Sequence, residues 1–180
     1  MKLLADVCAA LRRSSIPHAL IGATALAAHG LARATMDVDL LVVADRELEP
    51  QTWPELRHGA TLVDVRHGDA DDPFRAVIRI DRPEELPVDV LVGRFSWQRA
   101  IIERAKAVEI AGTSVPVAGA ADVILLKLFA GGAQDLWDVR RLLDAVASPD
   151  AIMREVDVRL EALPRDCQER WERLRRRDLS

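Results

Sequence analysis

The chain has 180 residues, 49% of them hydrophobic and 30% charged, which is enough for one domain with its own apolar core. The formal net charge of −4 excludes a uniformly basic surface for nucleic acids, so a polyanion would be bound locally or through a metal. Two distant cysteines, Cys8 and Cys167, exclude a C-x-x-C zinc or redox motif and favour a reducing compartment.

No membrane segment is predicted. The longest weakly charged stretch, residues 14–32, contains Pro17 and two histidines and has charged residues close on both sides. It is therefore not expected to span a bilayer, and the N-terminus shows no signal-peptide core. We expect a cytoplasmic protein with no membrane partner.

Strands and helices are predicted to alternate over the first two thirds of the chain. Apolar residues at helical spacing predict a first helix over residues 3–11, which ends before Pro17. The elements predicted next are a strand over 18–21, an alanine-rich helix over 23–29, a strand over 37–43, helix and loop over 45–58, strands over 61–65, 76–80 and 88–92, and a helix over 96–107.

The last third is predicted to be helical after one hairpin. Residues 108–110 and 114–117 are expected to pair around Gly112. The helices predicted after them cover 121–130 and 134–146, a third that begins at Ser148-Pro149, and a last one from about Asp166. This order predicts an α+β or α/β fold with a helical C-terminal region.

An acidic pair at the start of an apolar strand is the most informative feature. Asp37 and Asp39 stand two residues apart, directly before the apolar run 40–43. Because strand side chains alternate between faces, both carboxylates would project from the same face. Two neighbouring anions repel each other, and burial adds to the cost unless a cation compensates or one group is protonated. A divalent metal would provide that compensation.

Asp89 is a third acid within an apolar strand, residues 88–92. On neighbouring strands the three carboxylates would hold two Mg²⁺ ions about 3.5–4 Å apart, the arrangement for in-line phosphoryl displacement. Taken alone, a D-x-D pair is more often a turn acid or a helix cap, and a single strand acid is more often an edge residue. The surrounding sequence therefore has to decide between a metal site and these commoner roles.

That surrounding sequence begins with a glycine at a predicted strand–helix junction. Gly22 allows the backbone to turn tightly, and the amides at the start of the next helix can hold phosphate oxygens. Arg33 and then the acidic pair follow it. The order along the chain is thus a phosphate-binding turn, a cationic side chain and a metal site.

These segments resemble the nucleotidyltransferases of the DNA polymerase beta superfamily, and in particular bacterial stand-alone members that include the abortive-infection type of toxin–antitoxin systems. The resemblance spans about residues 16–146. At the position of Ala23 the family has glycine or serine. Alanine keeps the backbone amide but lacks the serine hydroxyl. The matching segments are G-A-T-A-L at 22–26, R-A-T-M-D-V-D-L at 33–40, and Lys127 followed by D-L-W-D at 135–138.

The resemblance implies an α+β nucleotidyltransferase-like fold, a mixed sheet flanked by helices. Its core would cover residues 1–118, and a C-terminal helical region over 119–180 would pack on that core. It also implies Mg²⁺ as the cofactor, as two ions that Mn²⁺ can replace, with Asp37, Asp39 and Asp89 as ligands.

The resemblance further implies an NTP as the substrate. The amides of Gly22 and Ala23 would bind its phosphates, and Arg33 and Lys127 would stabilise the charge that builds toward pyrophosphate. Thr35 and Asp138 are also expected at the nucleotide.

The residues alone leave some roles open. Lys127 lies in an apolar helix, so it either extends its amine to the surface or meets an anion. Asp135 and Asp138 either complement the start of their helix or act with Lys127, and the pattern does not separate them. Arg33 can equally be a solvated loop residue, and Thr35 can simply start the strand.

We therefore predict a metal-dependent enzyme that transfers a nucleoside monophosphate to an RNA, protein or small-molecule acceptor, with a toxin role and a cognate antitoxin as further hypotheses. The alternative is a non-catalytic nucleotidyltransferase-like module, an antitoxin or scaffold, which Ala23 favours. A third hypothesis is RNA binding by the basic tail, residues 170–177.

Overall fold

A mixed β-sheet organises this protein, for which a computed structural model describes residues 1–44, 62–69 and 72–177. The helix and loop predicted over 45–58 lie outside the described residues. Within them the sheet has seven strands in the order β3-β4-β5-β2-β1-β7-β6. The strands are β1 His18–Leu20, β2 Val38–Val42, β3 Leu62–His67, β4 Phe74–Asp81, β5 Val88–Gly93, β6 Lys106–Ile110 and β7 Thr113–Val117.

Helices flank this sheet, and together they confirm the predicted α+β class. The bounds are α1 Lys2–Arg13, α2 Gly22–Ala28, α3 Ser96–Arg104, α4 Ala120–Ala130, α5 Ala133–Ala145, α6 Pro149–Arg159 and α7 Arg165–Arg177, with a 3₁₀ turn at Leu160–Ala162. In the described part of the chain, no helix is long and apolar enough to cross a membrane.

The centre of the sheet combines parallel and antiparallel pairs. β2 runs parallel to β5 and antiparallel to β1, and β1 runs parallel to β7. Leu40, Leu41 and Val42 are fully buried, which confirms that the end of β2 is covered on both faces. Burial on both sides fixes the position of β2, and with it the acids at its start.

The helix predicted over 96–107 is three residues too long. α3 ends at Arg104, and Ala105 has an extended backbone. Lys106 and Ala107 instead belong to β6, where they pair with Val117 and Pro116 of β7. Strand pairing across the hairpin therefore overrides the local helical pattern.

The C-terminal helices pack on the sheet through α4. The Asp122 carboxylate of α4 is buried and forms ion pairs with Arg104 of α3, at 2.6 Å, and with Arg159 of α6, at 3.1 Å. These pairs tie α4 both to the sheet layer and to the last helices. The predicted boundary between residues 118 and 119 itself stays a prediction.

The basic tail is not an extended arm. Trp171 is 2% exposed, and its indole N–H donates to the Asp157 carboxylate at 2.7 Å. Arg170 donates to the carbonyl oxygen of Leu128 at 2.8 Å, and Arg175 pairs with Asp157. The aromatic ring of the tail is thus a core residue and is not available to stack on a base.

Replacing Trp171 by Ala should lower the free energy of unfolding by about 3–5 kcal/mol, because it empties a buried site and leaves Asp157 without its indole donor. Urea unfolding followed by circular dichroism measures the change. Trp137→Ala is the matched control, since Trp137 is 49% exposed and should change stability far less. Equal losses for the two variants would contradict the packing described for α7.

Candidate functional site

The two strand acids lie side by side at the centre of the sheet. In the parallel pair of β2 and β5, Asp39 stands directly opposite Asp89. Opposite residues in such a pair project from the same face. Asp37 lies in the bend that leads into β2. The prediction that these acids occupy neighbouring strands is thus confirmed for Asp39 and Asp89, whereas Asp37 precedes the strand in which the sequence placed it.

Gly22 is required by its contact with Asp39. The Ile21 N–H donates to the Asp39 carbonyl oxygen at 2.9 Å, so the start of α2 lies directly against β2. A Cβ at Gly22 would overlap the Asp39 carboxylate, and the backbone there has φ +65°. The glycine thus provides both a left-handed turn and room for an acid, whereas the sequence indicated only the turn.

Burial, together with neighbouring negative charge, raises the pKa of Asp39 to about 6. Burial is the largest cause, and the neighbouring charges of Asp37 and Asp89 act in the same direction, while Lys127 and Arg33 partly oppose them. A carboxylate in this setting gains from any additional cation. The repulsion that the sequence predicted among these acids is therefore present in the folded chain, while the bound metal stays a prediction.

Asp89 already has a cation beside it. Arg79 stands opposite Asp89 in the β4–β5 pair and donates from Nη1 to both carboxylate oxygens, at 3.1 and 3.3 Å. Burial raises the pKa of Asp89, and the Arg79 charge opposes that rise. Sequence analysis missed Arg79, although an arginine and an acid inside adjacent apolar strands were a usable signal.

The Thr35 side chain contacts Asp37. Its hydroxyl lies 3.0 Å from both the carbonyl oxygen and Oδ1 of Asp37, so it fixes the bend before β2. Ala23, the second residue of α2, is buried. Only its backbone amide is therefore suited to the predicted contact with phosphate.

Lys127 meets anions and does not extend to the surface. Its amine lies 2.7 Å from Asp135 Oδ1 and 2.8 Å from Asp138 Oδ2. The Asp138 side chain is fully buried, and Arg33 Nε lies 3.5 Å from its Oδ2. Both acids thus act on Lys127, and Asp138 also links Lys127 with Arg33, which the sequence left open.

A cavity of about 190 Å³ joins these groups. Asp39, Lys127 and Asp135 line it together with Gly22, and most of the remaining wall is apolar, including Phe74, Leu91, Leu126 and Phe129. Phe129 is held edge-on against Phe95 and Trp97, with ring centroids 5.5 and 5.1 Å apart. Larger cavities lie elsewhere, but this one brings a half-buried acid and a half-buried lysine to a single opening. Its aromatic wall was not predicted.

The carboxylates are chemically suited to Mg²⁺, but their positions in this structure do not enclose an ion. Carboxylate oxygens are the ligands that this cation prefers, and burial together with the charges of Asp37 and Asp89 raises the pKa of Asp39. Among the described residues, however, no three acidic, histidine or cysteine side chains are grouped so that they could hold a metal. Asp89 has its cation from the protein, since Arg79 lies 3.1 Å from its Oδ2.

Comparison with known proteins shows the fold. No protein-family model and no curated protein matches the chain. The solution structure of the antibiotic-resistance factor ANT(2'')-Ia is 15% identical, with a TM-score of 0.55 over 89% of this chain and 92% of that chain. The crystal structure of ANT(2'')-Ia in complex with adenylyl-2''-tobramycin is also 15% identical, with a TM-score of 0.53 over 89% and 95%. The chain therefore shares the fold of a nucleotidyltransferase.

Gly22→Ala should destabilise the protein more than Gly112→Ala. Both glycines have positive φ, at +65° and +79°, so each substitution carries backbone strain of about 1–2 kcal/mol. Nothing lies within 4 Å of a Cβ at Gly112, whereas at Gly22 the Asp39 carboxylate must also move. Urea midpoints measure the difference, and equal losses would contradict the contact between Gly22 and Asp39.

Asp39→Asn should stabilise the protein by about 3 kcal/mol at pH 7, because folding raises the pKa of Asp39 from 3.8 to about 6 and each pKa unit corresponds to about 1.4 kcal/mol. The pKa of Asp39 is raised from 3.8 to about 6 on folding, so the folded state holds this proton more tightly than the unfolded state. The wild-type protein therefore loses stability as pH rises from about 4 to 6.

The gain from Asp39→Asn should accordingly grow between pH 4 and 6 and stay constant above that. Urea unfolding at a series of pH values in metal-free buffer measures it. Asp144→Asn, at an exposed position of α5, is the control and should show no such dependence. A gain that is independent of pH would contradict the raised pKa.

Proposed function

We propose that the protein transfers a nucleoside monophosphate from an NTP to a hydroxyl acceptor. The observation that carries the proposal is the pairing of Asp39 with Asp89 on parallel strands beside a cavity that Lys127 also lines. Paired carboxylates and a cation at one opening suit a reaction in which charge moves between phosphate oxygens. The shared nucleotidyltransferase fold supports the same reaction class.

In this reaction the acceptor oxygen bonds to the α-phosphorus while the bond from that phosphorus to the β-phosphate oxygen breaks. The acceptor hydroxyl loses its proton, and pyrophosphate leaves with the bonding electron pair. Negative charge thus builds on the leaving oxygens. The protein's contribution would be positioning and electrostatic stabilisation.

Lys127 is the main cation for that charge. In the absence of nucleotide its amine is neutralised by Asp135 and Asp138, which hold it at the cavity in a fixed position. Phosphate oxygens would take the place of the partly exposed Asp135, while buried Asp138 keeps Lys127 aligned. Arg33, 35% exposed and anchored on Asp138, would reach the same phosphates from the loop before β2.

Asp37 and Asp39 would bind Mg²⁺, and Asp89 would join them on the acceptor side once it separates from Arg79. When bound, Mg²⁺ would neutralise phosphate charge and favour loss of the acceptor proton. Two ions, replaceable by Mn²⁺, remain the prediction. The amides of Gly22 and Ala23 are the proposed further phosphate contacts, and the apolar wall at Phe74 and Phe129 suits the nucleoside.

Incubation with each labelled NTP, Mg²⁺ and a mixed pool of RNA, protein and aminoglycoside acceptors tests the proposal. Transfer of label should fall by at least about 100-fold in Asp39→Asn and in Lys127→Met, because each removes charge stabilisation at the reacting phosphates. Asp144→Asn should transfer at the wild-type rate. Absence of transfer to every acceptor, with the folded wild-type protein, would overturn the proposal.

A non-catalytic module is the second candidate, because the ion pair with Arg79 neutralises Asp89, the third acid, without any metal. Calorimetry with NTP separates the two. Binding that requires Mg²⁺ and is lost in Asp39→Ala supports the enzyme, whereas binding that is indifferent to metal supports the module.

A toxin role with a cognate antitoxin remains a hypothesis from the family resemblance. Expression of the chain with and without neighbouring gene products tests it. Growth arrest that a neighbouring product relieves, and that Asp39→Asn abolishes, is the expected result. Toxicity that no neighbouring product relieves would argue against a dedicated antitoxin.

A further inference from the structure

A basic groove lies between α5 and α7, on the other side of the α4–α5 turn from the catalytic cavity. Its volume is about 520 Å³, and Trp137, Arg140, Arg170 and Arg173 line it, with Gly131 at the turn. Among the described residues that line it there is no carboxylate. This α5–α7 groove is a local concentration of positive charge on a chain whose net charge is −4.

Two of its arginines have charge to offer a ligand. Arg140 has no ion pair with a described residue, and its buried Nε has no hydrogen-bond partner among them. The Nε–H of Arg173 donates to the carbonyl oxygen of Glu169 at 3.2 Å. Arg173 has no carboxylate partner in the described part of the chain. Such guanidinium groups suit phosphate oxygens, which they bind with two parallel N–H donors.

The acids of α7 do not cancel this charge, because they are paired with other arginines. Glu169 pairs with Arg165, and Glu172 pairs with Arg176. Asp166 pairs with Arg170 at 2.6 Å.

Arg170 is therefore neutralised, and it is also fixed in place. It donates to the Leu128 carbonyl oxygen and packs so closely on Gly131 that a Cβ there would collide with its guanidinium. It shapes the end of the groove at the α4–α5 turn, while Arg140 and Arg173 supply the free charge.

Trp137 adds an aromatic surface to this charge. Its ring is 49% exposed, and the Arg141 guanidinium lies 5.1 Å from the ring centroid. Arg141 likewise has no carboxylate partner among the described residues. An exposed tryptophan among unpaired arginines is the combination that binds single-stranded nucleic acid, because phosphates meet the arginines and a base stacks on the ring.

We propose that the α5–α7 groove binds single-stranded RNA and that this RNA is the acceptor of the proposed nucleotidyl transfer. The inference rests on the proposed function only for the acceptor role. Ala130 and Asp135 line the cavity at Asp39 and Lys127, while Gly131 and Ala133 line the groove, so the α4–α5 turn borders both openings. A strand held in the groove would present its end to Asp39 and Lys127.

The surface differs from the one that the sequence suggested. The aromatic residue of the basic tail, Trp171, is buried, whereas Trp137 of the preceding helical segment is exposed. Of the tail arginines, Arg170 and Arg173 line the groove, while Arg175 and Arg176 pair with Asp157 and Glu172.

Fluorescence anisotropy with an oligouridylate of about 12 nucleotides, a length within the range that single-strand binding modules cover, tests the groove without NTP or metal. Arg140→Met combined with Arg173→Met should weaken binding about tenfold and lower the slope of log K against log salt by about 1.4. Lys106→Met combined with Arg154→Met removes the same charge from exposed positions of β6 and α6, outside the groove, and is the control.

Trp137→Leu should weaken binding about tenfold and abolish the fluorescence quenching that RNA causes. Absence of RNA binding, or equal losses in the groove and control variants, would overturn the inference. Tighter binding of polyglutamate than of RNA would also overturn it and would indicate an acidic protein partner.

The transfer assay separates this inference from the proposed function. RNA binding that depends on the groove, with no transfer to any acceptor, would refute the proposed function and leave the groove as a binding surface. Transfer to a protein or an aminoglycoside, with no RNA binding, would refute the groove and leave the proposed function. Labelled RNA whose yield falls in the Arg140/Arg173 double variant would support both.

Discussion

Electrostatic repulsion between carboxylates on two parallel strands is the constraint around which this site is built. Asp39 and Asp89 stand in register, and burial together with neighbouring acids raises the pKa of Asp39 to about 6. The rest of the site limits that cost. Arg79 compensates Asp89, Lys127 and Arg33 lower the pKa of Asp39, and Gly22 leaves room for its carboxylate. A site held in this way favours any ligand that brings positive charge.

A second set of pairings determines which cations remain at the cavity. Lys127 is neutralised by Asp135 and Asp138, so it does not simply cancel the charge of Asp39. Buried Asp138 also fixes Arg33, which places two cations on one carboxylate beside the opening. Positively charged groups that are already oriented need little reorganisation when charge develops in a reaction, which is the physical basis of electrostatic catalysis.

The C-terminal helices link the site to the surface. α4 provides Lys127. Its Asp122 forms ion pairs with Arg104 of α3 and Arg159 of α6, so the helix that carries the lysine is fixed to two other helices. The turn that follows α4 separates the cavity lined by Asp39 and Lys127 from the α5–α7 groove. A ligand in the groove would thus lie next to the residues that position Lys127. This arrangement gives the helical region a direct part in both proposals.

The sequence by itself determined the order of the elements, the glycine turn and the acids, because periodicity and turn residues are local properties. It also indicated that Lys127 either reaches the surface or meets an anion, since burial of an amine is costly wherever it occurs. Only the tertiary structure decided that Arg79 faces Asp89, that both Asp135 and Asp138 bind Lys127, and that Trp171 is buried while Trp137 is exposed. It likewise ended α3 at Arg104, because β6 pairs with β7. These outcomes depend on strand register and helix packing between residues far apart in the chain, where local patterns carry no information.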